Sequence, residues 1–171
     1  MPSARTHDII TVVSGASGTA AAWNMGLPEF EAVNTAVLLG SYLVSGFLFS
    51  PDLDLRSRPY MRWRWLRWVW IPYQRSVRHR SWVSHSLLAG PVIRILYFTG
   101  IISLLALIAL ALLNLLVPVD PTGTLLSIAS SVSRWINIHP FTVGYAVAGF
   151  FLGSASHVVA DAIVSFFKRV F

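Results

Sequence analysis

Cysteine is absent from the chain, which excludes disulfides, thiolate zinc sites and thiol nucleophiles. Any metal must then be held by histidine and carboxylate. Charge is scarce as well: 12% of the 171 residues are charged, against about a quarter in a typical soluble domain. Acidic residues number seven, and Lys168 is the single lysine, so the formal charge of +6 comes almost wholly from arginine. What fills the chain instead is apolar: 55% of residues are hydrophobic and the mean hydropathy is +0.64. That balance implies an integral membrane protein of one domain, residues 1–171, whose seven tryptophans suit lipid interfaces. A basic surface also suits nucleic acid, but a cytoplasmic membrane face explains the same charge more simply, and no nucleic-acid partner is expected. The start, "MPSARTHDII", carries Asp8 and has no small-residue cleavage site, so it reads as retained and not as a signal peptide.

Hydrophobic runs predict an all-α membrane helix bundle of about four transmembrane helices, near 9–24, 32–49, 87–117 and 141–167. The first is short unless it begins nearer Arg5. Its Ser14, Gly15, Ser17, Gly18 and Ala21 suit close helix packing in lipid. Gly26 and Pro28 break the chain, Pro51 ends the second run, and Pro91 is expected to kink the third near its start. Residues 124–138 form only a weak amphipathic stretch. Between the second and third runs lies a polar, aromatic loop, 51–86, with eight arginines from Arg56 to Arg80 interleaved with Trp63, Trp65, Trp68 and Trp70. It reads as a juxtamembrane segment with tryptophans at headgroup depth and arginines meeting anionic membrane lipid. Positive charge then places this loop and both termini on the cytoplasmic side of an inner or thylakoid membrane.

The few polar residues cluster on that side. Asp52 and Asp54, in "FLFSPDLDL", leave the second run two positions apart. His157 and Asp161, in "SHVVADAI", are four apart in a helix and therefore share a face. Ionisable groups inside a membrane helix usually face the bundle interior and mark function. An inert alternative pairs Asp161 with Arg94 and lets His157 donate to a backbone carbonyl. "RHRSWVSHSLL" supplies His79 and His85, six apart, a loop spacing; Ser84 fits the N-cap of a helix starting at His85, and Arg78 and Arg80 fit a bound anion. His7 and Asp8 precede the first helix, with Asp8 suited to cap it. Together His7, Asp52, Asp54, His79, His85, His157 and Asp161 are too many ligands for one tetrahedral zinc. They suit two or three divalent ions, or one ion with outer carboxylates orienting the histidines. Zinc is the first expectation, with manganese or magnesium as alternatives.

An N-terminal histidine, P-D-L-D, a histidine-arginine pair leading to S-H-S, and S-H-V-V-A-D, in that order, resemble the YdjM-type membrane-bound metal-dependent hydrolases. More closely, the "RTHD" start and the "RWRWLRWVWIPYQRSVRHRSW" segment resemble a family of metal-binding membrane proteins common in cyanobacteria. The resemblance covers nearly the whole chain. It implies a distant relation to zinc-dependent phospholipase C and fungal zinc nuclease folds, whose clustered metals hydrolyse phosphoesters. It also implies the same seven residues as metal ligands. The chain departs from the YdjM pattern at "HRSWVSH", one residue longer with Ser81 in place of glycine, and at Leu55, where a histidine is expected.

Three functions follow as expectations. In a phosphoester hydrolase acting on a phosphorylated or lipid-linked substrate, Arg78, Arg80 and Ser84 hold the phosphate, and Asp54 or Asp161 takes a proton from water. In a non-enzymatic subunit or assembly factor of a larger membrane complex, metal organises the bundle. In a pigment or haem carrier the histidines are axial ligands, a reading at odds with so many aspartates.

Overall fold

The structure, a computed structural model, describes residues 3–79 and 81–170. It is helical throughout, with no strand among the described residues. Helix α1 spans Ala4–Asn24, α2 Ala32–Leu48, α3 Arg58–Arg62, α4 Ile71–Ser76, α5 Trp82–His85, α6 Ala89–Leu113, α7 Pro121–Ile138 and α8 Pro140–Val170. Short 3₁₀ segments, Pro51–Asp54 and Arg64–Trp70, join α2 to α3 and α3 to α4.

Three segments are long and apolar enough to cross a membrane: Ala32–Asp54, Ala89–Leu113 and Pro140–Phe167. Helix α1 has 21 residues, but its serines, threonines and glycines leave it less apolar than those three. It begins five residues earlier than its apolar run, because Ser3 caps it, its Oγ accepting from the Thr6 amide at 3.1 Å. His7 and Asp8 therefore lie inside the helix, and Asp8 is not its cap. Pro91 falls in the first turn of α6, where a missing N–H removes no ladder bond, so a kink needs no invoking. The stretch expected to be weakly amphipathic is a regular helix, α7, capped by Asp120 on the Thr122 amide.

Residues 51–86 are not a loop but a folded cap of short helices. Its tryptophans divide by exposure: Trp70 is wholly buried, Trp63 is half-buried, and Trp65 and Trp68 are exposed. Phe49, at the end of α2, is the hub of the buried set. Its ring meets Trp63, Trp70, Phe98 and Phe150 at centroid distances of 5.3 to 5.6 Å, tying the cap to α6 and α8. Polar edges are satisfied as the rings go in: Trp63 Nε1 donates to the Leu48 carbonyl at 3.0 Å and Tyr97 Oη to that of Val69 at 2.5 Å. Gln74 donates to both the Leu53 and Leu55 carbonyls at 2.9 Å, pinning the 3₁₀ turn that carries the paired aspartates.

Close packing of α2 against α8 fixes the other half of the site. Gly149 and Gly153, one helical turn apart, face the Leu38 and Tyr42 carbonyls so closely that a Cβ on either would collide with backbone. Helix α1 joins through Gly15 against Tyr42 and Thr11 against Gly46. Backbone cannot yield as a side-chain tip can, so Gly153→Ala is expected to cost about 1–3 kcal/mol by overpacking. Gly144, with nothing within 4 Å of its built Cβ, is the control. Thermal unfolding in detergent should show a lowered midpoint for Gly153→Ala and none for Gly144→Ala.

Candidate metal centre

Helix α8 brings His157 and Asp161 to one face, and both are buried. Helix α1 lays His7 flat on His157, ring centroids 3.8 Å apart and planes 12° from parallel. His7 Nε2 lies 3.3 Å from Asp161 Oδ1. His157 turns Nδ1 to the Ser50 hydroxyl at 3.1 Å and Nε2 to Asp52 Oδ2 at 3.3 Å and Asp161 Oδ2 at 3.6 Å. The His7, His157 and Asp161 donor atoms all lie within 4.8 Å of one another.

A second group of donors, from Asp52, His79 and His85, meets the same limit. Asp54 does not join it directly. Its Oδ1 accepts from His79 Nδ1 at 2.9 Å, an arrangement that orients a ligating histidine and leaves Nε2 for a cation. His85 Nδ1 pairs with the Ser84 hydroxyl at 2.9 Å, which likewise leaves Nε2 free. Asp52 belongs to this group yet touches His157 of the first, so its carboxylate lies between the two.

The chemistry of this donor set is that of a cation site. His7 Nδ1, Asp52 Oδ1, Asp54 Oδ2, His85 Nε2, His157 Nε2 and both Asp161 oxygens are buried without a hydrogen-bond partner. Each such atom costs about 1–3 kcal/mol, and so many in one place rival the whole stability of a domain, about 5–15 kcal/mol. Nitrogens and oxygens converging without well-formed hydrogen bonds fit one or more divalent ions. A cleft of about 120 Å³ reaches His7, Asp52 and His157 between Ala4, Gly46, Ser57, Arg58 and Pro59.

Several expectations change. Asp161 is not paired with Arg94, whose guanidinium instead binds the Ser84 carbonyl and the Ser154 hydroxyl. Ser84 is not an N-cap: it lies inside α5, its amide donating to Ser81 Oγ, while Ser86 accepts from the first amide of α6. Arg78 is exposed, and Arg80 lies outside the described residues. Asp8 lines the same cleft but is held by Arg58 at 3.0 Å and Arg62 at 2.7 Å. Ser50 and Arg94 were missed as parts of the site. A serine directly before Pro51 was a weak signal for the first; an arginine in an apolar run was a strong one for the second.

Compared with known families, residues 2–171 match the uncharacterized metal-binding protein family DUF2227. The chain belongs to that family. An uncharacterized protein of Aquifex aeolicus (strain VF5) is 39% identical over 57 residues, which cover 33% of this chain and 40% of that protein. The match thus spans less than half the length of that relative. No solved structure matches the chain. Membership carries the metal-binding character and leaves the ion, the ligands and the chemistry to the geometry.

Burial is the largest cause that lowers the pKa of His85, assisted by neighbouring His79 and opposed by Asp54, Asp52 and Asp161. Its folded pKa lies below the ordinary histidine value of about 6.5, so the unfolded chain takes the proton first. The stability of the metal-free protein should therefore be complete above that value and fall as pH drops through and below it. His85→Gln should flatten that slope. Unfolding midpoints of both proteins in detergent from pH 8 to pH 5 check the sign; a midpoint that rises on acidification would contradict it.

Proposed function

We propose that this is an integral membrane metalloprotein that holds two divalent cations at the cytoplasmic membrane interface and uses them to hydrolyse a phosphoester. The observation that carries the reading is the set of buried, partnerless donor atoms on His7, Asp52, His85, His157 and Asp161. These come from α1, the 3₁₀ turn after α2, α5 and α8, so the donors converge across the fold. One cation would be held by His7, His157 and Asp161 and the other by Asp52, His79 and His85, with Asp52 between them and Asp54 orienting His79.

Topology supports the interfacial position. The spans Ala32–Asp54 and Ala89–Leu113 meet the cap in sequence, Pro140–Phe167 reaches the start of the cap at Asp52 through His157, and no acidic residue occurs from 55 to 119. A cap so rich in arginine belongs on the cytoplasmic side, against anionic lipid. Trp65 and Trp68, three residues apart in a 3₁₀ segment with three residues per turn, form one outward ridge at headgroup depth. A fourth crossing by α1 puts both termini on the cytoplasmic side.

Divalent ions bound here would supply Lewis acidity toward water and a phosphoryl oxygen. The chain's own groups would do the rest. Arg58, half-exposed on the rim of the cleft and paired there with Asp8, would have to exchange that carboxylate for an anionic headgroup to steer it toward Asp52 and His157. Asp161, with both oxygens free of hydrogen bonds, would accept a proton from water. Zinc suits the mixed nitrogen and oxygen donors best.

The runner-up is a non-enzymatic subunit of a membrane complex, in which the ions fasten the bundle. The bridging of α1 to α8 by His7, His157 and Asp161 favours it, because α1 packs less closely on that pair than α2 and α8 pack on each other.

Metal analysis of the full chain should give two ions per wild-type protein and about one in either Asp52→Asn or His157→Ala. Zinc- or manganese-loaded wild type should release phosphate or headgroup from phosphomonoesters or phospholipids, and His157→Ala should not. Equal metal content in all three proteins removes the site. Full metal content without turnover of any such ester leaves the structural role.

A further inference from the structure

Arg94 is wholly buried near the start of α6, inside a candidate span, and among the described residues it forms no ion pair with a carboxylate. Tyr73, Asp54 and Asp52 face it without a direct ion pair, and a buried guanidinium with no carboxylate in contact is costly, so its contacts must matter to something. Nη1 donates to the Ser84 carbonyl at 2.9 Å and Nη2 to the Ser154 hydroxyl at 2.7 Å, while Nε, also buried, has no partner. One planar fork thus ties three elements, α5, α6 and α8, at a single point.

What those two acceptors carry gives the fork its meaning. Ser84 precedes His85 and its hydroxyl holds His85 Nδ1 at 2.9 Å, so fixing the Ser84 peptide fixes where His85 Nε2 points. Ser154 lies three residues before His157 on α8, on the same face. Arg94 therefore sets the separation between a ligand of one proposed cation and a ligand of the other. We infer that Arg94 is a positioning residue for the Asp52, His79 and His85 group: it places His85 relative to α8 without touching the ion. This rests on the two-group reading given above. Lysine keeps the charge but presents a single nitrogen, which cannot span both acceptors in the fork geometry.

Cobalt(II) titration of the full chain in detergent, followed by visible absorbance, separates the possibilities. Wild type should take two ions, and His85→Ala one, with the remaining spectrum that of the His7, His157 and Asp161 group. Arg94→Lys should reproduce the His85→Ala spectrum at its first ion, bind the second at least tenfold more weakly, and keep wild-type helical content by circular dichroism. Ser154→Ala, which removes one arm of the fork, should weaken the second ion by a smaller factor and leave the first unchanged. Two cobalt ions at wild-type affinity in Arg94→Lys overturn the inference, as does equal weakening of both ions. If Arg94→Lys does not fold, Ser154→Ala decides: an unchanged second ion overturns the inference. A wild type that takes fewer than two ions removes the two-group reading and this inference with it, an outcome distinct from two ions in both proteins.

Discussion

A carboxylate buried among apolar helices must be neutralised, and that constraint organises this protein. Asp54 and Asp161 are nearly inaccessible to solvent and Asp52 is half-buried, yet the nearest positive side chains are spent elsewhere. Arg58 and Arg62 bind Asp8, and Arg94 binds a carbonyl and a hydroxyl. The groups left facing the carboxylates are histidines, stacked in one pair and set edge to face in another. A divalent cation answers the same need without a proton. Each other feature of the fold can be read as bringing these side chains to that point.

Two very different kinds of packing do so. On the α2 and α8 side, glycine lets backbones meet, as the Gly149 and Gly153 contacts require, and a close helix pair carries Asp52 to His157 with little slack. On the cap side, Phe49 and Trp70 build an aromatic core that would suit a soluble domain. The short helices of the cap have too little length to be stable alone. Tertiary burial of Trp70, Tyr73 and Leu53 holds them, and with them His79 and His85.

Much of the site could be read from spacing. His157 and Asp161 share a helical face whatever the rest of the chain does, and an acidic pair at the mouth of an apolar run is conspicuous when acids are few. Other parts depended on tertiary structure and so left no periodic trace. The cap reads as a loop because its helices are shorter than one amphipathic repeat, and because a tryptophan turned inward and one turned outward look alike in sequence. Asp54 reads as a ligand like Asp52, and only the 2.9 Å contact with His79 separates their roles. Helix α1 starts at Ala4, and not at its first apolar residue, because a cap hydroxyl decides where a helix begins and hydropathy does not. Arg94 was visible as an anomaly, but the obvious partner, Asp161, was the wrong one, since helix rotation sets which side of α8 it meets. The family match supports the metal and the apolar helices support the membrane; neither could distribute roles among these residues.

The position of α1 links metal to fold. Lipid tails are as apolar as leucine, so burying aliphatic surface gives helices little reason to associate within the membrane. Helix α1 is the least apolar of the long helices around the site, and its specific contacts concentrate toward one end. There Thr11 packs on Gly46, Asp8 meets two arginines, and His7 stacks on His157 beside Asp161. Farther along, Gly15 approaches Tyr42 and Leu39, the Ser14 hydroxyl meets the Tyr42 oxygen and Trp23 packs on Phe30, around an apolar cavity of about 220 Å³ between α1, α2 and α8. A helix fastened at its ligand end and loosely packed beyond it docks only as well as that end is held. A cation bridging His7 to α8 would then serve two purposes at once, neutralising the buried carboxylates and seating the helix that completes their coordination.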